Sequence, residues 1–221
     1  ECSKCYSYYT YQCDSLMASP NGDKLWDSFL AEAVGKGLKG KQLHNAIPHR
    51  RMSATIYKNY PQGKITVTDF LLGQYYLYED ALNSQEWNIE SDSMKVVLGH
   101  ECQKATCSFR GRKWTAWFAL DVPVSDGPLK FCGLPGLIME VYDRGKQYYF
   151  CINGMQQVSA TPITYGILDK DFKHFQKTDR KDFLLSKYRY LRNQNSINEA
   201  STGISLGSVD EALKYDLIEK E

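Results

Sequence analysis

From Ala54 to Asn153, apolar and polar residues largely alternate, the period at which successive side chains fall on opposite faces of a strand. Strands are predicted at Ala54 to Tyr60, at Lys64 to Phe70 after the Pro61-Gln62-Gly63 turn, and at Gln74 to Glu79 after Gly73. Another extended run begins at Trp87 and Ile89, and Met94 to Leu98 precedes Gly99. Cys102 to Arg110 and Lys113 to Leu120 read as a hairpin around Gly111, and Leu137 to Tyr142 and Gln147 to Asn153 flank an Asp143-Arg144-Gly145 turn. Tyr6 to Gln12 reads as a first strand, so roughly seven to nine antiparallel strands are expected.

The helical period occurs at both ends. Trp26, Phe29, Leu30, Ala33 and Val34 form one stripe behind Asn21-Gly22-Asp23 and before Gly35 and Gly37, predicting a buried-face helix of about three turns. Phe183, Leu184, Tyr188 and Leu191 repeat similarly, with Thr178 as N-cap and Asp179 in the first turn, giving a helix to Arg192. Between them, residues 36–51 hold five Lys or Arg, two His and no acid, and read as a long exposed loop. Asn193 to Leu206 is rich in Ser, Asn, Thr and Gly without a core pattern, and Ser208-Val209-Asp210-Glu211 is a capping box opening a short helix to about Leu217. The expected architecture is α+β: a curved, open, half-barrel-like antiparallel sheet with packing helices, forming one domain over 1–192, then a mobile linker and short helix over 193–221.

Composition narrows the function. Lys and Arg total 27 against 26 Asp and Glu, a net charge of +1, which argues against electrostatic wrapping of nucleic acid. No run approaches the 18 apolar residues of a membrane helix, and the opening Glu1-Cys2-Ser3-Lys4-Cys5 has no signal-peptide pattern. Seven cysteines, at 2, 5, 13, 102, 107, 132 and 151, favour structural disulfides in an oxidising compartment, and so an exported protein whose signal has been removed. The odd number leaves at least one thiol over, and the connectivity stays open. Two alternatives compete for these cysteines: a redox pair at Cys2-x-x-Cys5, which lacks a preceding strand, and a zinc site, for which Cys102-x4-Cys107 lacks a short knuckle.

Three clusters carry candidate chemistry. Leu134-Pro135-Gly136 has type II turn grammar, with glycine at positive φ, and either aims the chain into a strand whose Leu137, Ile138 and Val141 are core, the favoured reading, or forms a functional loop at the mouth of a pocket. Arg110-Gly111-Arg112-Lys113 is a basic tip whose guanidinium fork suits a carboxylate or phosphate, or the acidic stretch Glu79, Asp80, Glu86, Glu90 and Asp92, the favoured partner. Trp114, Ala116 and Phe118 alternate with Thr115 and Trp117, so the two tryptophans face opposite sides or straddle a bulge. His100 and Cys102 share a strand face and would suit copper or zinc, as would His44, His49 and Met52; a cysteine nucleophile would need a histidine and an orienting third group.

The hexapeptide Gly133-Leu134-Pro135-Gly136-Leu137-Ile138 resembles the signature of the GLPGLI family of uncharacterised secreted bacterial proteins. Trp87-x-Ile89, the run from Gly99 to Ala105, the run from Phe109 to Phe118 and Pro123-x-x-Asp126-Gly127-Pro128 match that family's pattern in order, over roughly Thr55 to Asn153. The resemblance implies an exported protein of Gram-negative bacteria, often encoded near genes for outer-membrane import, with no agreed activity. Its pattern is similar in kind to the curved half-barrels of periplasmic lipoprotein carriers, a fold-level analogy.

The reading of the sequence is therefore a secreted or periplasmic, non-enzymatic binding protein, outer-membrane associated or extracellular, with an outer-membrane transporter among its expected partners. Its aromatic concave face would take an apolar or amphipathic small molecule, peptide or partner segment. Trp87, Trp114, Trp117 and Tyr148 are the candidate liners, Arg110 and Arg112 the rim charges, and no cofactor is required. Copper or zinc handling through His100 and Cys102 is the first alternative, and a hydrolase the second.

Overall fold

The computed structural model describes residues 9–10, 13–16, 22–39, 42–43, 46, 54–155, 175–193, 197, 200 and 217–220. A short hairpin, β1 (Tyr9–Thr10) and β2 (Cys13–Leu16), precedes helix α1 (Gly22–Gly35). Strands β3 (Thr55–Lys58), β4 (Lys64–Leu71) and β5 (Gln74–Ala81) follow, then β6 (Asn88–Val97), β7 (His100–Phe109), β8 (Arg112–Ala119), β9 (Leu137–Asp143) and β10 (Tyr149–Cys151). A three-residue strand β11 (Phe175–Lys177) leads into helix α2 (Arg180–Arg192). The α+β architecture expected from the sequence is the one adopted. Apart from the β1–β2 hairpin, its strands divide between two open sheets, ordered β11-β5-β4-β3 and β10-β9-β8-β7-β6, antiparallel except where β11 runs parallel to β5.

Two-residue turns make the three tightest hairpins. Leu72-Gly73, Leu98-Gly99 and Arg110-Gly111 each place both residues at positive φ, between 49° and 83°. That is the type I′ geometry whose twist matches paired strands, and glycine carries the second position without steric cost. The two runs expected around Trp87 and Met94 are one strand, β6, because a bulge between Glu90 and Met94 absorbs the polar Ser91-Asp92-Ser93 and restores pairing with β7.

The sheets share one core. Ile56, Ile65, Val67, Leu71 and Tyr78 from the four-stranded sheet pack with Ala105, Cys107, Phe109, Trp114, Ala116, Phe118, Ile138, Val141 and Phe150 from the five-stranded one. Leu129, Phe131 and Leu134 from the connection before β9, and Phe183 from α2, close it. Buried Lys58 secures that connection, binding Asp126, the Gly127 carbonyl and the Phe131 carbonyl. A smaller cluster of Val97, Cys102, Ala119 and Met139 lies apart from this core, with Trp117 and Leu137 packed on it.

Several local expectations change. Leu134-Pro135-Gly136 is a bend rather than a positive-φ type II turn: Gly133, at φ +91°, takes the left-handed conformation, and Gly136 is demanded by a close backbone approach. Leu137 is only partly buried and joins the smaller cluster. Asp179, not Thr178, caps α2, its carboxylate accepting from the Lys181 N–H at 2.7 Å. Helix α1 runs 14 residues, nearer four turns than three, and Val34 is 56% exposed, outside the buried stripe; the Trp26 side chain lies outside the described residues. Ile197 and Ala200, within the stretch read as a linker, are helical. The Ser208 capping box and His44, His49 and Met52 lie outside the described residues, while residues 217–220 are irregular and dock on the sheet.

Cys102, Cys107, Cys132 and Cys151 are free thiols, so the bridges expected among them are absent; Cys2, Cys5 and the Cys13 side chain lie outside the described residues. Burial pushes the Cys107 thiol up to about 12 and raises those of Cys102 and Cys132. A thiol held protonated is a poor nucleophile. In the native protein at pH 8, Cys151, which is partly exposed, is expected to alkylate first and the other three only on unfolding, as mass mapping of a maleimide time course would show.

Candidate functional site

The β7–β8 turn carries the chemistry. Because β8 begins at Arg112, this arginine shares its face with Trp114, Ala116 and Phe118, which brings a cation to the margin of the apolar core. It is 7% exposed. Its Nη1 donates to Asp143 Oδ2 at 2.8 Å and to Gln147 Oε1 at 3.0 Å, and its guanidinium lies 4.7 Å from the Tyr148 ring centroid. These contacts fix the planar fork in one orientation. The opposite edge points at the 217–220 segment: Nε donates to the Ile218 carbonyl at 2.9 Å and Nη2 to the Leu217 carbonyl at 2.8 Å.

Three more contacts hold the same segment. The Lys220 N–H donates to the Arg110 carbonyl at 3.1 Å, Ile218 packs against the main core, and the Glu219 carboxylate enters a cage of cations. Lys130 Nζ is 2.5 Å from Glu219 Oε1, Arg180 Nη1 is 3.1 Å from Oε2, and Arg110 Nε is 4.0 Å away. The cage is dry: the side chains of Lys130, Arg180 and Glu219 are 5%, 7% and 10% exposed. Arg180 opens α2, Lys130 sits in the connection before β9, and Asp80 near the end of β5 receives both Arg110, at 2.6 Å, and Lys130, at 3.2 Å.

The electrostatics follow from this packing. Burial alone would raise Asp80, yet Lys130 and Arg110 outweigh it through charge and hydrogen bonding, holding the carboxyl below its ordinary value. A carboxyl lowered by folding stabilises above its unfolded pKa and loses that contribution as pH falls through the folded one. The melting temperature of Asp80→Asn is therefore expected to converge on that of the parent as pH is lowered from 5 to 2. Tyr78 is driven well above its ordinary value, first by burial and then by Glu219, Asp69 and Asp80, so its hydroxyl stays protonated.

Among the six residues expected to form a binding face, the structure unites Arg110, Arg112 and Tyr148. Arg110 takes the favoured internal partner, Asp80. Trp114 is core, 2% exposed, its Nε1 donating to the Phe109 carbonyl at 3.1 Å. Trp87 packs on Phe131 at 6.2 Å and donates to the Cys132 carbonyl. Trp117 faces the opposite side of the sheet, beneath Lys95 Nζ, which is 4.8 Å from its ring centroid and pairs with Glu140. The six therefore do not make one aromatic wall. Trp117 Nε1 is buried without a hydrogen-bond partner among the described residues. Trp117→Phe, which removes that donor, is expected to change stability by less than about 1 kcal/mol, whereas Trp114→Phe, which strips a bonded core indole, costs about 1–3 kcal/mol in urea denaturation.

Lys130, Arg180 and Glu219 were not identifiable as site residues from the sequence; only the basic tip and Asp80 carried a signal, through their opposite charge. His100 Nδ1 lies 2.7 Å from Asp121 Oδ2, and the Cys102 thiol is turned to the His100 carbonyl at 3.5 Å. No group of three His, Cys, Asp or Glu able to hold a metal occurs among the described residues. Nor is any described helix long and apolar enough to cross a membrane.

Residues 110–140, which span the basic tip, Lys130 and the GLPGLI hexapeptide, match the family model "Protein of unknown function (Porph_ging)". No curated protein matches the chain. Among solved structures it is similar to PNGF-II in space groups P21 and C2, at 11% and 12% identity with TM-scores of 0.47 and 0.46. Those alignments cover 84% and 85% of this chain and 32% and 33% of the others, so the chain spans about a third of their length.

Proposed function

We propose that this chain is an exported, non-enzymatic binding protein of the GLPGLI type, and that it grips a carboxylate-bearing amphipathic partner segment at the Arg110-Gly111-Arg112 tip and the Lys130–Arg180 cage. The observation that carries this reading is the preorganised Arg112 fork. With one edge held by Asp143 and Gln147, its other edge reads two successive backbone carbonyls, a grip independent of side-chain identity. Selectivity then comes from an apolar residue set against the core and a carboxylate set against Lys130, Arg180 and Arg110. The free thiols with raised pKa and the absence of a nucleophile–base pair from the described cluster favour binding over covalent chemistry.

Native mass spectrometry of the protein recovered from its exported compartment tests this. A polypeptide or amphipathic adduct that dissociates on denaturation, and is lost in a folded Arg110→Glu variant, is the expected result. A metal-sized adduct alone would move the assignment to His100 and Cys102.

A further inference from the structure

We infer that the 217–220 segment is a self-ligand: it occupies the site proposed above in the way an outside segment of the same chemistry would, and so sets the threshold that such a partner must overcome. The inference rests on the segment-binding reading and adds its ligand class and its regulation. The class follows from the contacts. A bent stretch is required, because Arg112 bonds the consecutive carbonyls of Leu217 and Ile218, which would point to opposite sides in a fully extended chain. An apolar residue followed directly by an acid is required, because Ile218 meets the core while Glu219 meets Lys130 and Arg180. The residue after it offers its N–H to the Arg110 carbonyl.

Chain length makes release and return feasible. Arg180, at the start of α2, touches Glu219, and the 13 residues of α2 carry the chain about 20 Å from there at 1.5 Å per residue. Asn193 and Leu217 are 24 positions apart, so even at the helical rise of 1.5 Å per residue the connection could span about 36 Å. The path back is thus shorter than the chain available for it, and residues 217–220 belong to no strand, so undocking them breaks none. A tethered ligand of this kind acts at an effective concentration of order millimolar, which an outside segment has to exceed.

The test uses the full chain, unchanged and as Ile218→Asp, titrated by fluorescence anisotropy with a labelled peptide of residues 215–221. At least tenfold tighter binding to Ile218→Asp than to the unchanged protein is expected, together with at least a tenfold loss when the peptide carries Glu219→Gln. Circular dichroism checks that both proteins are folded, and Ile218→Ala replaces Ile218→Asp should the latter unfold. Equal, measurable affinity for the two proteins would overturn self-occupancy and leave segment binding standing. Absence of binding to either folded protein would overturn segment binding itself.

Discussion

Glutamine in place of Glu219 is expected to destabilise the protein by about 3–5 kcal/mol, the range found when one partner of a buried charge network is removed and the others are left uncompensated. Arg180 is the group stranded, and Lys130 is left with Asp80 alone. Both are nearly inaccessible to water, and the remaining carboxylate of the cage, Asp80, is already shared between Arg110 and Lys130. For a chain of this length each kcal/mol corresponds to roughly 2–4 °C in melting temperature, so the loss should reach about 6–20 °C. The effect belongs to charge rather than volume, since the amide is almost isosteric. A second substitution, Arg180→Met, should recover at least about 1 kcal/mol in the Glu219→Gln background, because it removes the cation left without its carboxylate while Lys130 keeps Asp80 at 3.2 Å. Urea denaturation of the four proteins gives the coupling directly. A loss below about 1 kcal/mol for Glu219→Gln would show that water reaches the cage.

The second large effect concerns Gly136→Ala. A Cβ at this position would stand 2.0 Å from the Ala119 carbonyl oxygen and 2.7 Å from its carbon, and both are backbone atoms at the end of β8. No rotamer change relieves such a clash; the β8–β9 pair itself would have to separate next to the bulge at Trp117 and Phe118. The expected cost is about 3 kcal/mol or more, at or above the top of the usual range for overpacking. Gly133→Ala is the informative contrast. Its added Cβ meets nothing closer than 3.6 Å, so only the φ of +91° penalises it, by about 1–2 kcal/mol. Thermal melts of the two variants should therefore separate a contact requirement from a conformational one within a single hexapeptide. Equal shifts would refute that distinction.

The strands were legible because their turns were. Gly73, Gly99 and Gly111 stand where φ is positive, and alternation on either side marked the strand faces; of the two arrangements open to Trp114 and Trp117, opposed faces is the one adopted. What the sequence left open was which face meets the second sheet. Trp114 went inward, because its row continues into Ala116 and Phe118, both fully buried, while the row of Trp117 continues into Thr115. Strand β11 escaped notice for a plain reason: three residues, Phe175-Gln176-Lys177, carry no periodicity, and their parallel partner on β5 lies about a hundred residues away. Half of the site was hidden in the same way. Opposite charge suggested Arg110 with Asp80, but nothing local links Lys130 or Arg180 to Glu219, since long-range ion pairs leave no spacing pattern. The disulfide expectation failed among the four described thiols because it rested on cysteine number, whereas Cys102, Cys107 and Cys132 each fill a separate buried position.

The three tight turns also bear on the order in which the molecule assembles. Strands β6, β7 and β8 pair through closures of two residues each, so their contacts form at little loop entropy. Arg112, in contrast, meets Leu217 across 105 positions, and the other contacts of the return segment with the β7–β8 turn are as sequence-distant. The β6–β8 meander is the natural nucleus and the return segment a late arrival. Substitutions at the hairpin turns would thus be felt in the folding rate, while those at Ile218 or Glu219 would be felt in the unfolding rate. The contacts of residues 217–220 would then be the last part of the molecule to be built and the first to open.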